Sequence, residues 1–270
     1  MKPLQVGLIG CGTIGRALAE FLLREFPRQA RLAYVCEHRA EKVQALSRKF
    51  KIKPRLTHLH ELIRRSDFVI EAASARVAGE AAALTLRRHK QILVMSAGGL
   101  IGNRAWMKAL ARTQGRLWVP SGAVAGLDGL LAARESGLKR VRLITRKPPQ
   151  ALESAGYFLK HRFPKLRGNQ EVRVYAGPAL RAVADFPQNV NVAAVLSLAG
   201  LGPRKTRVEI WTSKRYKENT HEILIESKSG EIRILLKNVP STMNPKTSAL
   251  AFYSAMALMR RIFSNFQIGT

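Results

Sequence analysis

The sequence predicts an α/β chain: a doubly wound parallel sheet over residues 1–120, followed by a second, α+β domain. Three observations predict it. Short apolar strands alternate with helical stretches as far as Val119, the pattern of parallel β–α–β units. The alternation stops at Pro120, and later strands follow one another without a helix between each pair. Apolar residues make up 46% of the 270 and charged residues 24%, enough apolar material for real cores and too much for a disordered chain.

The elements follow in order. Leu4–Ile9 reads as a buried strand and Arg16–Phe26 as the helix after it. Between them stands Gly10-Cys11-Gly12-Thr13-Ile14-Gly15, a G-x-G-x-x-G turn placed after a strand and opening a helix, as a dinucleotide-binding (Rossmann) unit requires. Gly10 allows the tight turn, Gly12 lets the backbone approach a pyrophosphate, and Gly15 lets helix and strand pack closely. The free N–H groups at the helix start then face the phosphates. The next strand, Arg31–Cys36, runs into Glu37, 22 residues after Gly15, where an acid accepts the ribose hydroxyls of NAD. His38 and Arg39 follow at once and would suit a 2′-phosphate if Glu37 turned away, so NAD and NADP both stay open. A helix Glu41–Phe50, a strand Asp67–Glu71, a helix Val77–Arg88, a strand Gln91–Met95, a helix Arg104–Thr113 and a strand Arg116–Val119 complete the alternation. Ligands bind beyond the carboxyl ends of such strands. That places Ala73, Ser74, Met95 and Ser96 where the nicotinamide half should pass.

Past Pro120 a glycine-rich stretch turns helical through Arg134. Strands are expected at Lys139–Arg146, Val172–Tyr175, Thr206–Thr212, His221–Ser227 and Glu231–Lys237, with a helix from Val190 to Leu201. This is an α+β domain over 121–243 with an antiparallel or mixed sheet. Asn244 and Pro245 read as the cap and first residue of a last helix running to Phe263, apolar over much of its girth. Residues 244–270 are expected to return to the first domain.

The net charge of +28, from 46 Lys and Arg against 18 Asp and Glu, admits nucleic acid, an acidic membrane surface or anionic small molecules as partners. The basic residues are spread along the chain, with denser spots at Arg87–Lys90, Lys139–Lys147 and Lys160–Arg167, and aromatics are only 7%. That favours solvated basic faces over a specific nucleic-acid site. No apolar run approaches the ~18–20 residues of a membrane span, and Met1–Leu4 leads straight into a strand without a secretion signal. Cys11 and Cys36 make no disulfide framework and read as small buried fillers, compatible with a reducing cytoplasm. His58-x-His60 lacks further ligands, so no metal site is expected.

At this point four segments resemble the L-aspartate dehydrogenase family. They are Gly10–Gly15, Pro120-Ser-Gly-Ala-Val-Ala-Gly-Leu-Asp-Gly129, Phe186-Pro-Gln-Asn-Val-Asn-Val-Ala-Ala194 and Asn244-Pro-Lys-Thr-Ser248. Asn219-Thr-His-Glu-Ile223 looks like the family's catalytic strand. The resemblance implies oxidation of L-aspartate with NAD or NADP to iminoaspartate, which hydrolyses to oxaloacetate and ammonia and can feed NAD synthesis. It implies cofactor contacts at Thr13, Ile14, Glu37, Ala73, Ser74, Met95, Ser96, Ala123 and Asn191, and His221 as the active-site residue. A cytoplasmic homodimer without membrane or specific nucleic-acid partners is the expected setting. The family often has Asp where this chain has Glu37.

The expected chemistry needs a deprotonated amine before hydride leaves Cα, and a neutral histidine can take such a proton near pH 7. His221 shares a strand face with Ile223 and Ile225. A satisfied core histidine is the competing reading. Two substrate carboxylates need donors; Lys246, expected in the first turn of the last helix, and Asn189, Asn191, Ser121 and Lys147 are the candidates. The alternatives are another two-domain nicotinamide enzyme, such as a homoserine dehydrogenase or dihydrodipicolinate reductase, and a non-catalytic basic protein that binds NAD or nucleic acid.

Overall fold

A computed structural model describes residues 2–153, 155–186, 191–241 and 244–269, and side chains outside 240–247. The chain forms two compact units, one of residues up to Pro120 with Phe252–Gln267, the other of Ser121–Ala251 with the last residues.

The first unit is built on six parallel strands. Its elements are β1 (Leu4–Ile9), α1 (Thr13–Glu25), β2 (Ala30–Cys36), α2 (Ala40–Phe50), β3 (Arg55–Leu56), α3 (Leu59–Arg65), β4 (Phe68–Glu71), α4 (Ala75–Leu86), β5 (Gln91–Val94), α5 (Gly98–Gly102), α6 (Ala105–Leu110) and β6 (Leu117–Trp118). The sheet order is β3-β2-β1-β4-β5-β6, so the order reverses between β1 and its two neighbours, where a doubly wound sheet opens a crevice. Val6, Leu8, Ile9, Phe68, Val69 and Ile70 are buried, the continuous apolar runs expected of strands covered on both faces. The two-residue β3 and the short α3 and α5 carry too little periodicity to be read from sequence. Helix α1 starts at Thr13, with Gly12 as its cap residue, so Thr13, Ile14 and Gly15 form its first turn ahead of the expected Arg16.

The second unit holds α7 (Leu127–Ser136), β7 (Leu138–Lys147), β8 (Val172–Pro178), α8 (Ala179–Asp185), α9 (Asn191–Ala199), β9 (Arg207–Thr212), β10 (Asn219–Ser227), β11 (Gly230–Asn238), β12 (Pro240–Ser241) and β13 (Asn244–Ser248). Its main sheet has the order β11-β10-β7-β9-β8. It is mixed: β7 and β9 run parallel, and the other pairs are antiparallel. The period of two along β7 and β10 puts Val141, Leu143, Ile223 and Ile225 on a buried face. The other face carries ion pairs. Arg146 and Arg233 both bind Glu222, at 3.0 and 2.6 Å, and Arg140 pairs with Glu226. The basic run Lys139–Lys147 is therefore partly neutralised across the sheet.

The last helix corrects the sequence reading. Asn244–Ser248 is not its first turn but β13, paired with β12. Helix α10 runs Ala249–Phe263, and its cap is Ser248, whose Oγ accepts the Leu250 N–H at 3.2 Å. The ladder partner on β12 holds 244–248 extended and so displaces the local Asn-Pro start signal. Nor is α10 apolar all round: Phe252, Ala255 and Met259 are buried at helical spacing, while Leu250 and Tyr253 are exposed. From Phe252 on it belongs to the first unit. Met259 and Ala255 join the core of Val6, Leu22 and Phe26, the Phe263 ring lies tilted 4.8 Å from that of Phe26, and Arg260 pairs with Glu25 at 2.6 Å.

Candidate active site

The glycine turn is shaped as its sequence requires. Gly10 has φ +86°, a conformation side chains resist, and a Cβ there would lie 2.7 Å from Ala73 Cα. A Cβ on Gly15 would lie 2.0 Å from the Gly10 carbonyl oxygen. A Cβ on Gly12 would meet nothing within 4 Å: the backbone there faces open space. That space belongs to a cleft of about 570 Å³ lined by Gly10, Gly12, Glu37, His38, Lys42, Ala73 and Ser74, with His58, Leu59 and His60 along one wall. It lies beyond the carboxyl ends of β1, β2 and β4, where the sheet order reverses.

Glu37 is fixed at the rim of this cleft. Its Oε2 accepts the Cys11 N–H at 2.8 Å, and its Oε1 accepts the His38 and Arg39 N–H groups at 3.0 and 3.2 Å. Lys42 Nζ lies 3.8 Å away. Partial burial pulls this carboxyl upward, but the three N–H donors and Lys42 outweigh it and hold the group below the usual carboxylate range. Glu37 has not turned away, so a negative charge stands where a ribose would be recognised. Open space at Gly12, the free end of α1 and a fixed acid at the end of β2 fit a nicotinamide dinucleotide.

In the second unit, polar groups continue the buried apolar rows of the sheet. On β7 the row Val141, Leu143 runs on into Thr145 and Lys147; on β10 the row Ile225, Ile223 runs on into His221 and Asn219. Ladder register sets these side by side. Thr145 is opposite His221, and Thr212 of β9 is opposite Lys147. Asn219 is opposite Asn238 of β11. His221 and Lys147 are only 4% and 7% exposed. The Thr145 hydroxyl lies 3.0 Å from His221 Nδ1. Burial, with the Lys147 charge adding to it, drives the His221 pKa down to about 3. Burial lowers Lys147 to about 8. Asn219 Oδ1 is buried without a hydrogen-bond partner among the described residues. Asn238 Nδ2 donates to the Ala123 carbonyl at 3.4 Å, tying the glycine-rich loop to this end of the sheet.

Residues 128–262 match the family model described as aspartate dehydrogenase, C-terminal. Residues 10–120 match the one described as homoserine dehydrogenase, NAD binding domain. The chain is 36% identical to the L-aspartate dehydrogenase of Methanosarcina acetivorans, covering 99% of this chain and 100% of that protein. It is 33% identical to that of Methanocella arvoryzae, covering 98% and 99%.

The chain belongs to the aspartate dehydrogenase family.

The crystal structure of aspartate dehydrogenase from Thermotoga maritima shares its fold, with a TM-score of 0.74 at 24% identity, covering 98% of this chain and 99% of that one. Membership makes the chain an oxidoreductase that uses NAD or NADP. As an aspartate dehydrogenase family member it has two polar centres, and the residues expected from sequence divide between them. Gly10, Gly12, Glu37, Ala73 and Ser74 meet in the dinucleotide cleft. Thr13, Ile14 and Gly15 open α1 behind it. Met95 is half-buried against the core, and Ser96 bonds Glu71. Ser121 and Ala123 lie in the glycine-rich loop, and Asn191 is the exposed first residue of α9. Asn189 lies outside the described residues, as does the side chain of Lys246, whose backbone is on β13 and not in a helix.

His221 faces inward with Ile223 and Ile225, as its spacing predicts. It differs from expectation in depth and basicity: a pKa near 3 keeps it neutral at pH 7 but makes it a weak base in the unliganded protein. Sequence reading missed Glu71, Thr145, Asn219, and the cleft wall His58–His60. Glu71 and Lys147 did leave a signal, each being a charge that ends a run otherwise alternating or continuous in apolar residues.

Among the described residues there is no group of three or more potential metal ligands, and no helix is long and apolar enough to cross a membrane. Cys11 and Cys36 are free, and burial pushes both thiols up.

Proposed function

We propose that the chain oxidises L-aspartate to iminoaspartate with NAD or NADP, and that water then releases oxaloacetate and ammonia. The observation that carries this reading is the set of buried His221, Thr145 and Lys147 with the buried Asn219 Oδ1 at one end of a sheet, in a chain matching L-aspartate dehydrogenases along its whole length. It joins a neutral imidazole, a cation and an unpaired acceptor, the groups a zwitterionic dicarboxylate needs.

In this reading the Lys147 ammonium holds a substrate carboxylate through a charge-assisted bond. Asn219 Oδ1 accepts an N–H of the amine. The two carboxylates offset the Lys147 charge and raise the His221 pKa from its depressed value, so the imidazole becomes competent to take the ammonium proton. The nitrogen lone pair then drives the Cα hydrogen out as hydride, and the C=N bond forms. When bound, the nicotinamide dinucleotide supplies the hydride acceptor. His221 passes the ammonium proton to solvent; the neutral imidazole then takes a proton from the water that adds to the imine carbon and returns it to the amino nitrogen, so the adduct collapses to oxaloacetate and ammonium.

Glu37, His38 and Lys42 are read as the ribose end of the cofactor cleft. Ser121, Asn189, Asn191 and Lys246 stay as candidate contacts on the grounds of resemblance. The same reading takes the enzyme as a homodimer of the cytoplasm and its imine as a precursor for NAD synthesis; light scattering tests the first of these. The reaction itself is tested by NADH or NADPH formation with L-aspartate as the sole amino acid, beside D-aspartate, L-homoserine and dihydrodipicolinate. Turnover of L-aspartate alone supports the reading, and turnover of homoserine or dihydrodipicolinate in its place sinks it.

A further inference from the structure

One carboxylate ties together two of the loops that end the parallel strands. Glu71 is the last residue of β4 and is fully buried. Its Oε1 accepts the Ala73 N–H at 2.8 Å, the Ser74 N–H at 3.1 Å and the Ser96 hydroxyl at 3.0 Å. Its Oε2 accepts the Ser96 N–H at 3.0 Å. Ala73 and Ser74 follow β4 and line the dinucleotide cleft; Ser96 follows the neighbouring strand β5.

Burying an acid is costly without a cation beside it, and among the described residues no cation bears on Glu71. Burial pushes its pKa up, and the four donors oppose that push. An apolar side chain in its place would take the acceptor away from all four donors. What a carboxylate offers is acceptors only, on two oxygens. A glutamine would turn an NH2 group against one set of N–H donors and release it. Donors from two loops and nothing to repel them is the arrangement that fixes both loops at once.

We infer that Glu71 is a positioning residue for the cofactor, clamping the loops after β4 and β5 into the shape that receives the dinucleotide. The inference rests on the reading that this cleft binds NAD or NADP. It acts through the Ala73, Ser74 and Ser96 backbone, not by contact with the reacting atoms.

The test compares wild type with Glu71→Gln and Glu71→Asp. Three quantities are read: Kd for NADH and NADPH by fluorescence, the melting point without cofactor, and KM for aspartate at saturating cofactor. Glu71→Asp keeps the charge but is too short to reach both loops. Both variants should bind the reduced cofactor about 10–100-fold more weakly, the size of a lost charged hydrogen bond, with aspartate KM unchanged. Wild-type affinity in both variants, even with a lowered melting point, overturns the inference and leaves Glu71 a structural group. A wild type that binds neither NADH nor NADPH overturns the functional reading as well. Should neither variant fold, amide exchange of the cofactor-free wild type decides. Protection of the Ala73, Ser74 and Ser96 N–H groups supports the clamp, and exchange at open-loop rates overturns it.

Discussion

The Thr145 hydroxyl sits 3.0 Å from Nδ1 of His221, across directly paired residues of adjacent strands. Of the two ring nitrogens, Nδ1 is the one that makes this contact. If Nδ1 donates to Thr145, Nε2 carries the lone pair a base requires; if Thr145 donates, Nε2 carries the hydrogen. The hydroxyl can serve either tautomer, which suits a group that takes a proton and later returns it.

His221→Ala is expected to lower kcat by about 10²–10⁴-fold, the usual worth of general acid–base catalysis, with NADH affinity unchanged. Thr145→Val should have a smaller effect in the same direction. Steady-state kinetics with a cofactor titration checks both. A kcat within a few-fold of wild type for His221→Ala makes His221 a core histidine.

Acid stability should carry the same residue's signature. His221 has a folded pKa of about 3 against an ordinary 6.5, so between these values the unfolded chain holds a proton that the folded one lacks. Stability from this group is complete above about pH 6.5 and falls as pH drops toward 3, by about 1.4 kcal/mol per unit. Urea unfolding from pH 7 to pH 4.5 should show a shallower pH slope for His221→Gln than for wild type. Equal slopes would mean that the imidazole titrates normally in the folded protein.

Lys147→Met should raise KM for aspartate by about tenfold or more, because a charged contact to substrate is worth roughly 1.5–3 kcal/mol. The protein should remain folded, since the change replaces a buried cation by an apolar chain of similar length. Any rate dependence near pH 8, where burial puts the Lys147 ammonium, should vanish with it. An unchanged KM would remove Lys147 from the substrate.

Glu37→Ala should weaken NAD use by about 10–100-fold, from the loss of a charged acceptor, and NADP use by much less. A 2′-phosphate does not need that acceptor and is repelled by it, while His38 and Lys42 remain in place. Measuring kcat/KM with each cofactor decides. Equal losses would mean that Glu37 serves only the glycine turn through its bond to Cys11.

How much of this was legible in the sequence depended on whether the determinant was local. The glycine turn, Glu37 and the inward face of His221 are patterns within a few residues, and the fold realises them. Asn244-Pro245 carried an equally clear local signal for a helix start, yet pairing with β12 keeps 244–248 extended. The neighbours that define the second centre come from register: Thr145 meets His221, and Asn219 meets Asn238, only because of how β7, β10 and β11 align. Glu71 was visible as an acid ending an apolar strand, but its four donors come from two loops, one of them reached 25 residues further along the chain.

Helix α10 gives the molecule an order of assembly. Met259, Ala255 and Phe263 complete the core that Val6, Leu22, Phe26 and Phe68 begin. A ribosome makes those first residues early and that helix only after the second unit. Until the whole intervening unit has been synthesised, a delay on the order of ten seconds at ~5–20 residues per second, the nucleotide-binding half carries an open apolar seam. Closure of that seam therefore waits on the second unit, and a nascent chain stalled before Phe252 leaves Val6, Leu22 and Phe26 without their covering helix.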